Sequence, residues 1–261
     1  MGWFFHMAYS IKSSKDIEIL KEGGKILAHV LDILEKASEP GMTTMELNML
    51  TEKEIKICGG KPSFLNYRAP GAEGRRFPAA LCTSLNSEVV HGVPSGYVLK
   101  EGDLLKIDCG LWFKNLCTDS ARTVFIGQNP DPKSQKLINV TRESLMLGIQ
   151  GALEGNRMGD IGWAIESHLQ KNGFSVIKEL VGHGVGYSVH EDPNVPNYGS
   201  KGNGLLLKEG MVLAIEPMAS EGGSSIRLGG PFEFVTADNS RAAHFEHTIA
   251  ITKKGPVILT Q

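Results

Sequence analysis

The chain has 261 residues, 41% hydrophobic and 21% charged, ordinary globular proportions that allow one large domain or two. Its 27 lysines and arginines against 29 aspartates and glutamates give a formal charge of −2, which excludes a general electrostatic footprint for nucleic acid and predicts no DNA partner. No run approaches the roughly 20 apolar residues of a bilayer span, and the four cysteines, Cys58, Cys82, Cys109 and Cys117, form no Cys-x-x-Cys pair, so a reducing cytoplasm and no membrane partner are expected.

The apolar start from Met1 to His6 is too short for a signal h-region and lacks a basic lead. Residues 1–10 therefore read as an N-terminal extension, expected to be flexible, ahead of a single domain over 11–261. Apolar positions Ile17, Leu20, Leu27, Val30, Leu31 and Leu34 recur at helical spacing and predict a helix over 15–37, stopped by Pro40-Gly41. Thr43 followed by Glu46 is a capping-box signature for a second helix to about Cys58, ended by Gly59-Gly60 and Pro62. The stretch from Lys61 to Arg76 reads as loop, with turns at Pro70-Gly71 and Gly74.

Strands are predicted over 80–85, 104–113 and 116–126, the last two joined at Lys114-Asn115. If that turn is a two-residue hairpin, Asp108 faces Ala121, and Asp119 lies diagonally across on the same pleat face. Ile107 and Cys109 then point the other way. Helices follow at about 134–153 and 159–172, the second closed by Gly173, with strands near 175–180, 212–216 and 246–252. This order predicts an α+β fold, a mainly antiparallel sheet with helices on one face and the functional residues on the other.

Asp108, Asp119, His183, Glu216 and Glu246 each sit in short apolar or glycine-rich surroundings where charge is expensive. Four carboxylates cannot share one dry pocket unless cations neutralise them, because burial and mutual repulsion would each return protons to them. Structural alternatives exist for each residue. An ion pair with Arg122 would explain either aspartate, and Lys106 is a poorer partner. His183, in Gly182-His183-Gly184-Val185-Gly186, would also suit a phosphate-binding loop, but no Lys-Ser/Thr follows and no helix opens there.

His190 precedes Glu191-Asp192-Pro193 and would donate a hydrogen bond into such a site; His91, taken alone, reads first as a turn or capping residue. His244 and His247 flank Glu246 and are assigned to the opposite face of a regular strand, hence not counted as ligands. Oxygen donors with one imidazole suit Mn, Fe, Co or Zn. A pair of such ions about 3.5 to 4 Å apart activates water near neutral pH, so the pattern reads as a hydrolase centre.

Taken in order, Val89-Val90-His91-Gly92-Val93-Pro94, Ile107-Asp108, Asp119, Gly182-His183-Gly184-Val185-Gly186 with His190-Glu191-Asp192-Pro193, Ile215-Glu216-Pro217-Met218 and Phe245-Glu246-His247-Thr248 resemble the type I methionine aminopeptidases. The likeness runs from about residue 11 to 261. It implies the pita-bread fold, with a two-metal site on the inner face of a curved sheet, and removal of initiator methionine when the second residue is small. Asp108 would then chelate one divalent ion (Co, Mn, Fe or Zn), His183 and Glu216 the other, with Asp119 and Glu246 bridging. Glu216 would relay a proton, His190 would bind the scissile carbonyl oxygen and His91 would contact the substrate backbone near the leaving nitrogen. The methionine pocket would fall on Phe77, Cys82, His91 and Phe232.

The implied partners are peptides and nascent chains bearing N-terminal methionine, with the ribosome as a further one, and the implied state is monomeric. Only 33 residues lead from His183 to Glu216, which leaves no room for the helical subdomain of type II enzymes. Departures from the family pattern are Val90 for Cys, Val189 for a bulky aromatic, Phe232 for Trp and His244 for Gln, with an insertion-like stretch from Arg68 to Arg76. The alternatives are a proline-specific peptidase of the same fold and a metal-free binding protein.

Overall fold

The structure is a computed structural model that describes residues 9–68 and 74–261. The Pro70-Gly71 turn, most of the Arg68 to Arg76 stretch and residues 1–8 of the N-terminal extension lie outside the described residues.

Helix α1 (Ser14–Ala37) opens on a capping box in which Ser13 Oγ accepts from the Asp16 N–H and the Asp16 carboxylate accepts from the Ser13 N–H. Helix α2 (Thr44–Ile57) opens on the expected Thr43 and Glu46 box. Then come β1 (Lys61–Pro62), β2 (Leu81–Leu85), β3 (Glu88–Val90), β4 (Leu104–Phe113) and β5 (Leu116–Phe125). Helix α3 (Pro132–Gly151) begins earlier than its apolar pattern suggests, because Asp131 caps it and Pro132 is pre-set for the first helical turn. Helix α4 (Met158–Lys171) follows, ahead of β6 (Ser175–Val176), β7 (Gly182–Gly184), β8 (Glu191–Val195), β9 (Val212–Ile215) and β10 (Met218–Ser220). The chain finishes with β11 (Ile226–Leu228), β12 (Phe234–Thr236), β13 (Ala242–His244), β14 (Glu246–Thr252) and β15 (Gly255–Ile258).

One nine-stranded curved sheet runs β1-β4-β5-β14-β9-β7-β8, with β2 also pairing β4 and β15 pairing β14. Its recorded ladders are all antiparallel. The β4–β5 hairpin turns on Lys114 and Asn115, whose φ values of 48° and 67° are the paired positive angles of a two-residue type I′ turn. That turn sets the register: Asp108 faces Ala121 and Gly110 faces Asp119.

Alternation along β4 sends Ile107, Cys109 and Leu111 under α1 and α2, where they meet Leu27, Leu31, Leu34, Leu47 and Ile55. Helices α3 and α4 cover the other half, packing Leu145, Ile149, Ile161 and Ile165 on Leu213, Ile215, Ile249 and Ile251. Each such fully buried aliphatic contributes about 1.5–3 kcal/mol of transfer free energy. With both helix pairs on one face, the other is left to hold polar residues.

The glycines around His183 serve the sheet, not a phosphate loop. A Cβ on Gly182 would lie 2.3 Å from the Ala214 carbonyl oxygen and one on Gly184 would lie 2.4 Å from that of Asp192. Their absence lets β9 and β8 close on either side of β7, and no helix opens behind it. The strand predicted over 175–180 shrinks to β6, which pairs outside the large sheet.

Candidate metal centre

Asp108 on β4, Asp119 on β5, His183 on β7, Glu216 just after β9 and Glu246 at the start of β14 line one cavity of about 520 Å³. Ligand-type atoms of Asp119, His183 and Glu246 all lie within 4.8 Å of one another. Glu216 Oε1 is 3.7 Å from His183 Nε2. Sheet pairing brings them together, since Glu246 faces Ala121 across β14–β5 and His183 faces Ala214 across β7–β9. Thr248 fixes Asp119 from behind: its Oγ1 accepts from the Asp119 N–H at 2.9 Å and donates to the Asp119 carbonyl at 2.7 Å.

Burial pushes the carboxyl groups of Asp108, Glu216 and Glu246 well above the usual carboxylate range, and the neighbouring acids add to the shift. Burial also raises Asp119, against a backbone hydrogen bond from Ser120. Asp108 Oδ1, Asp119 Oδ1 and Glu246 Oε1 have no hydrogen-bond partner among the described residues. An unsatisfied buried acceptor costs about 1–3 kcal/mol, so this many in one pocket calls for a positive ligand. The ion-pair alternatives are otherwise engaged: Arg122 donates to Asp32 and Glu35 at 2.6 and 2.9 Å, and the Lys106 Nζ donates to the Asn86 carbonyl at 2.9 Å.

His183 is held as a ligand-ready imidazole. Its Nδ1 lies 2.9 Å from the Gly184 carbonyl, which requires Nδ1 to be the donor and leaves the Nε2 lone pair toward Glu216. Burial lowers its pKa to about 3, so the ring is neutral. The donor set, four carboxylates and one neutral imidazole, fits a divalent cation of the Mn, Fe, Co or Zn group.

Around these donors the same cavity collects His91, His190, Phe77, Cys82 and Phe232. Phe77 and Phe232 meet edge to face with centroids 5.4 Å apart, and Cys82 sits across the β2–β4 ladder from Asp108. Burial, then the charge of Asp108, pushes the Cys82 thiol up and keeps it protonated. His91 takes a left-handed φ of 61°, consistent with the turn reading, yet its side chain lines the cavity. His190 stands at the mouth, its ring centroid 4.3 Å from that of His183.

Contrary to the expectation from the sequence, His244 does not lie on the face opposite Glu246: even on one regular strand residues two apart share a pleat face, and here His244 ends β13 with its Nε2 3.4 Å from Oε2 of the cavity-lining Glu216. His247, one residue from Glu246, does face away, toward Thr260 Oγ1 at 2.9 Å. Tyr67 escaped sequence reasoning altogether. Its hydroxyl lies 2.7 Å from His190 Nδ1, and no spacing or motif in its loop announces that partner.

An apolar recess beside a buried, cation-seeking acid cluster with neutral imidazoles is the arrangement of a metal-dependent hydrolase. The chain belongs to metallopeptidase family M24, whose profile matches residues 18–253. It is 44% identical over 252 residues to the methionine aminopeptidase of Clostridium acetobutylicum, covering 96% of this chain and 98% of that one. Identity is 43% to methionine aminopeptidase 1 of Bacillus subtilis, at 96% and 98% coverage. The crystal structure of methionine aminopeptidase from Thermotoga maritima superposes with a TM-score of 0.92 at 41% identity, covering 97% of this chain and 100% of that one. The prolidase of Pyrococcus furiosus, at 24% identity and a TM-score of 0.75 over 96% of this chain and 65% of that one, shares the fold alone. The curved sheet with outer helices is therefore the pita-bread fold expected from the sequence, and membership of the family implies use of divalent metal. Among the described residues no helix is long and apolar enough to cross a membrane.

Proposed function

We propose that this chain is a methionine aminopeptidase, hydrolysing the first peptide bond of peptides and nascent chains that begin with methionine and carry a small second residue. The observation that carries this reading is the convergence of five ligand-type side chains on one cavity whose wall also includes Phe77, Cys82 and Phe232. Such a wall suits an unbranched thioether side chain. The near full-length likeness to proteins named methionine aminopeptidase supports it.

Two divalent ions, Co, Mn, Fe or Zn, balance the four acids in charge. Asp108 would hold one, His183 and Glu216 the other, and Asp119 and Glu246 both. Bound there, the ions supply Lewis acidity and an activated water at neutral pH. The Glu216 carboxylate takes the proton that water gives up and passes it to the leaving amine. His190, whose Nδ1 is occupied by the Tyr67 hydroxyl, presents its other ring nitrogen to the scissile carbonyl oxygen and stabilises the negative charge that develops there. His91 contacts the substrate backbone near the leaving nitrogen.

Residues 11–261 act as a single catalytic domain in this reading. The protein works as a monomer in the cytoplasm, with nascent chains emerging from the ribosome as its natural substrates. The test is to incubate metal-loaded protein with Met-Ala-Ser and Met-Lys-Ser. Methionine release from the first and little from the second is expected, and an Xaa-Pro peptide should stay intact. Cleavage of the Xaa-Pro peptide alone would assign the chain to the proline-specific branch of the fold.

A further inference from the structure

His244 is 1% exposed, and neither of its ring nitrogens has a hydrogen-bond partner among the described residues. An imidazole buried with both nitrogens unpaired is costly, so a partner must lie within reach. The nearest polar group recorded for it is Glu216 Oε2, 3.4 Å from Nε2, while Glu216 Oε1 is turned to His183 Nε2 at 3.7 Å. One carboxylate is thus bracketed by two imidazoles. The backbone of His244 is pinned on both sides: Thr123 Oγ1 accepts from its N–H at 2.8 Å and donates to its carbonyl at 2.7 Å, while Met218 pairs with it across β10–β13. With its backbone fixed and its ring buried, the imidazole has little freedom to leave Glu216.

We propose that His244 is a positioning residue that donates its Nε2–H to Glu216 Oε2 and so directs Oε1 toward the metal held with His183. The proposal rests on the metalloaminopeptidase reading above and deepens it. Glutamine is the conservative replacement, because its carboxamide offers a neutral donor of similar reach; leucine fills the space and donates nothing.

Manganese alone is titrated into wild type, His244→Leu and His244→Gln, and each loaded protein is then assayed on Met-Ala-Ser. Loss of the donor should weaken manganese binding by about 10- to 100-fold in His244→Leu, the range typical of an outer-sphere partner. At saturating metal kcat should fall by a similar factor with KM little changed, and His244→Gln should recover most of both. Pulsed electron paramagnetic resonance of the manganese-loaded wild type reads the number of directly coordinated nitrogens and does not depend on either variant folding. One coordinated nitrogen, from His183, is expected. Two would make His244 a ligand and overturn the proposal, as would a His244→Leu protein with wild-type affinity and kcat. Wild type that binds manganese yet releases no methionine would instead refute the aminopeptidase reading itself.

Discussion

The Tyr67 hydroxyl lies 2.7 Å from His190 Nδ1, joining the loop before β2 to the segment before β8 across 123 residues of sequence. Burial raises the tyrosine pKa, so the phenol keeps its proton and can donate it to Nδ1. That choice forces the His190 proton onto Nε2, the tautomer able to stabilise an oxyanion. Tyr67→Phe should therefore lower kcat/KM on Met-Ala-Ser by about tenfold, one hydrogen bond of about 1–1.5 kcal/mol, with little loss of stability. Steady-state kinetics beside a urea melt checks it, and an unchanged kcat/KM would remove Tyr67 from the site.

Lys12 and Glu191 form a nearly enclosed ion pair at 2.5 Å, with 1% and 12% of their side chains exposed, and Ser10 also donates to Glu191. Glu191 Oε1 accepts from the Tyr187 and Ser188 N–H groups as well. The segment just ahead of α1 is thereby tied to the residue that follows His190. Lys12→Met leaves a mostly buried carboxylate without its cation, and a loss toward the lower end of about 3–5 kcal/mol is expected in urea unfolding. Combining it with Glu191→Gln should recover part of that loss, the signature of a coupled pair. Simple additivity of the two single losses would show that the pair does not interact.

The acids and imidazole that line the cavity are legible in the sequence because each sits in a local pattern. The hairpin register follows from a two-residue turn at Lys114-Asn115, and that alone puts Asp108 and Asp119 on one face. Thr43 and Gly173 mark helix ends for equally local reasons, whereas the Asp131 cap of α3 lies ahead of the apolar pattern that announces the helix. What escaped was set at a distance. Strands β3, β10, β11, β12 and β13 are each three residues long, too short for a period of two to register. The partner of Tyr67 is supplied by folding alone, and His244 was misplaced by an error of alternation, not for want of signal.

Asp119→Asn separates the chemical role of that charge from its cost to the fold. Loss of a donor proposed to be shared by two ions should reduce turnover by more than about 100-fold and weaken metal binding at least as far. The effect on stability should reverse with the metal. In chelator the variant removes one buried, mutually repelled carboxyl and should melt above the wild type, whereas with saturating metal it should melt below, because ligand binding stabilises only the state that forms the site. Calorimetry with and without chelator tests both signs, and the same ranking in both conditions would contradict a metal-balancing role.

Lys106 takes no part in the proposed chemistry, yet it is 1% exposed beside the site, on the same face of β4 as Asp108. Burial lowers its pKa from 10.5 to about 7, only partly opposed by Glu88 and Asp103. Between those two values the unfolded chain holds the proton more tightly than the folded one, so this residue makes stability rise with pH across that window. Below about pH 7 both states are protonated and its full cost is present. Lys106→Met removes the charge and the pH dependence together, at the expense of the hydrogen bond to the Asn86 carbonyl. The variant should therefore gain about 1–4 kcal/mol over wild type near pH 7, reduced by about 1 kcal/mol for the lost bond. That advantage should shrink as the pH approaches the unfolded value of 10.5. Urea melts of both proteins at about pH 7 and about pH 10 read the difference directly, and a difference that stays constant would mean that Lys106 keeps an ordinary ammonium pKa in the fold.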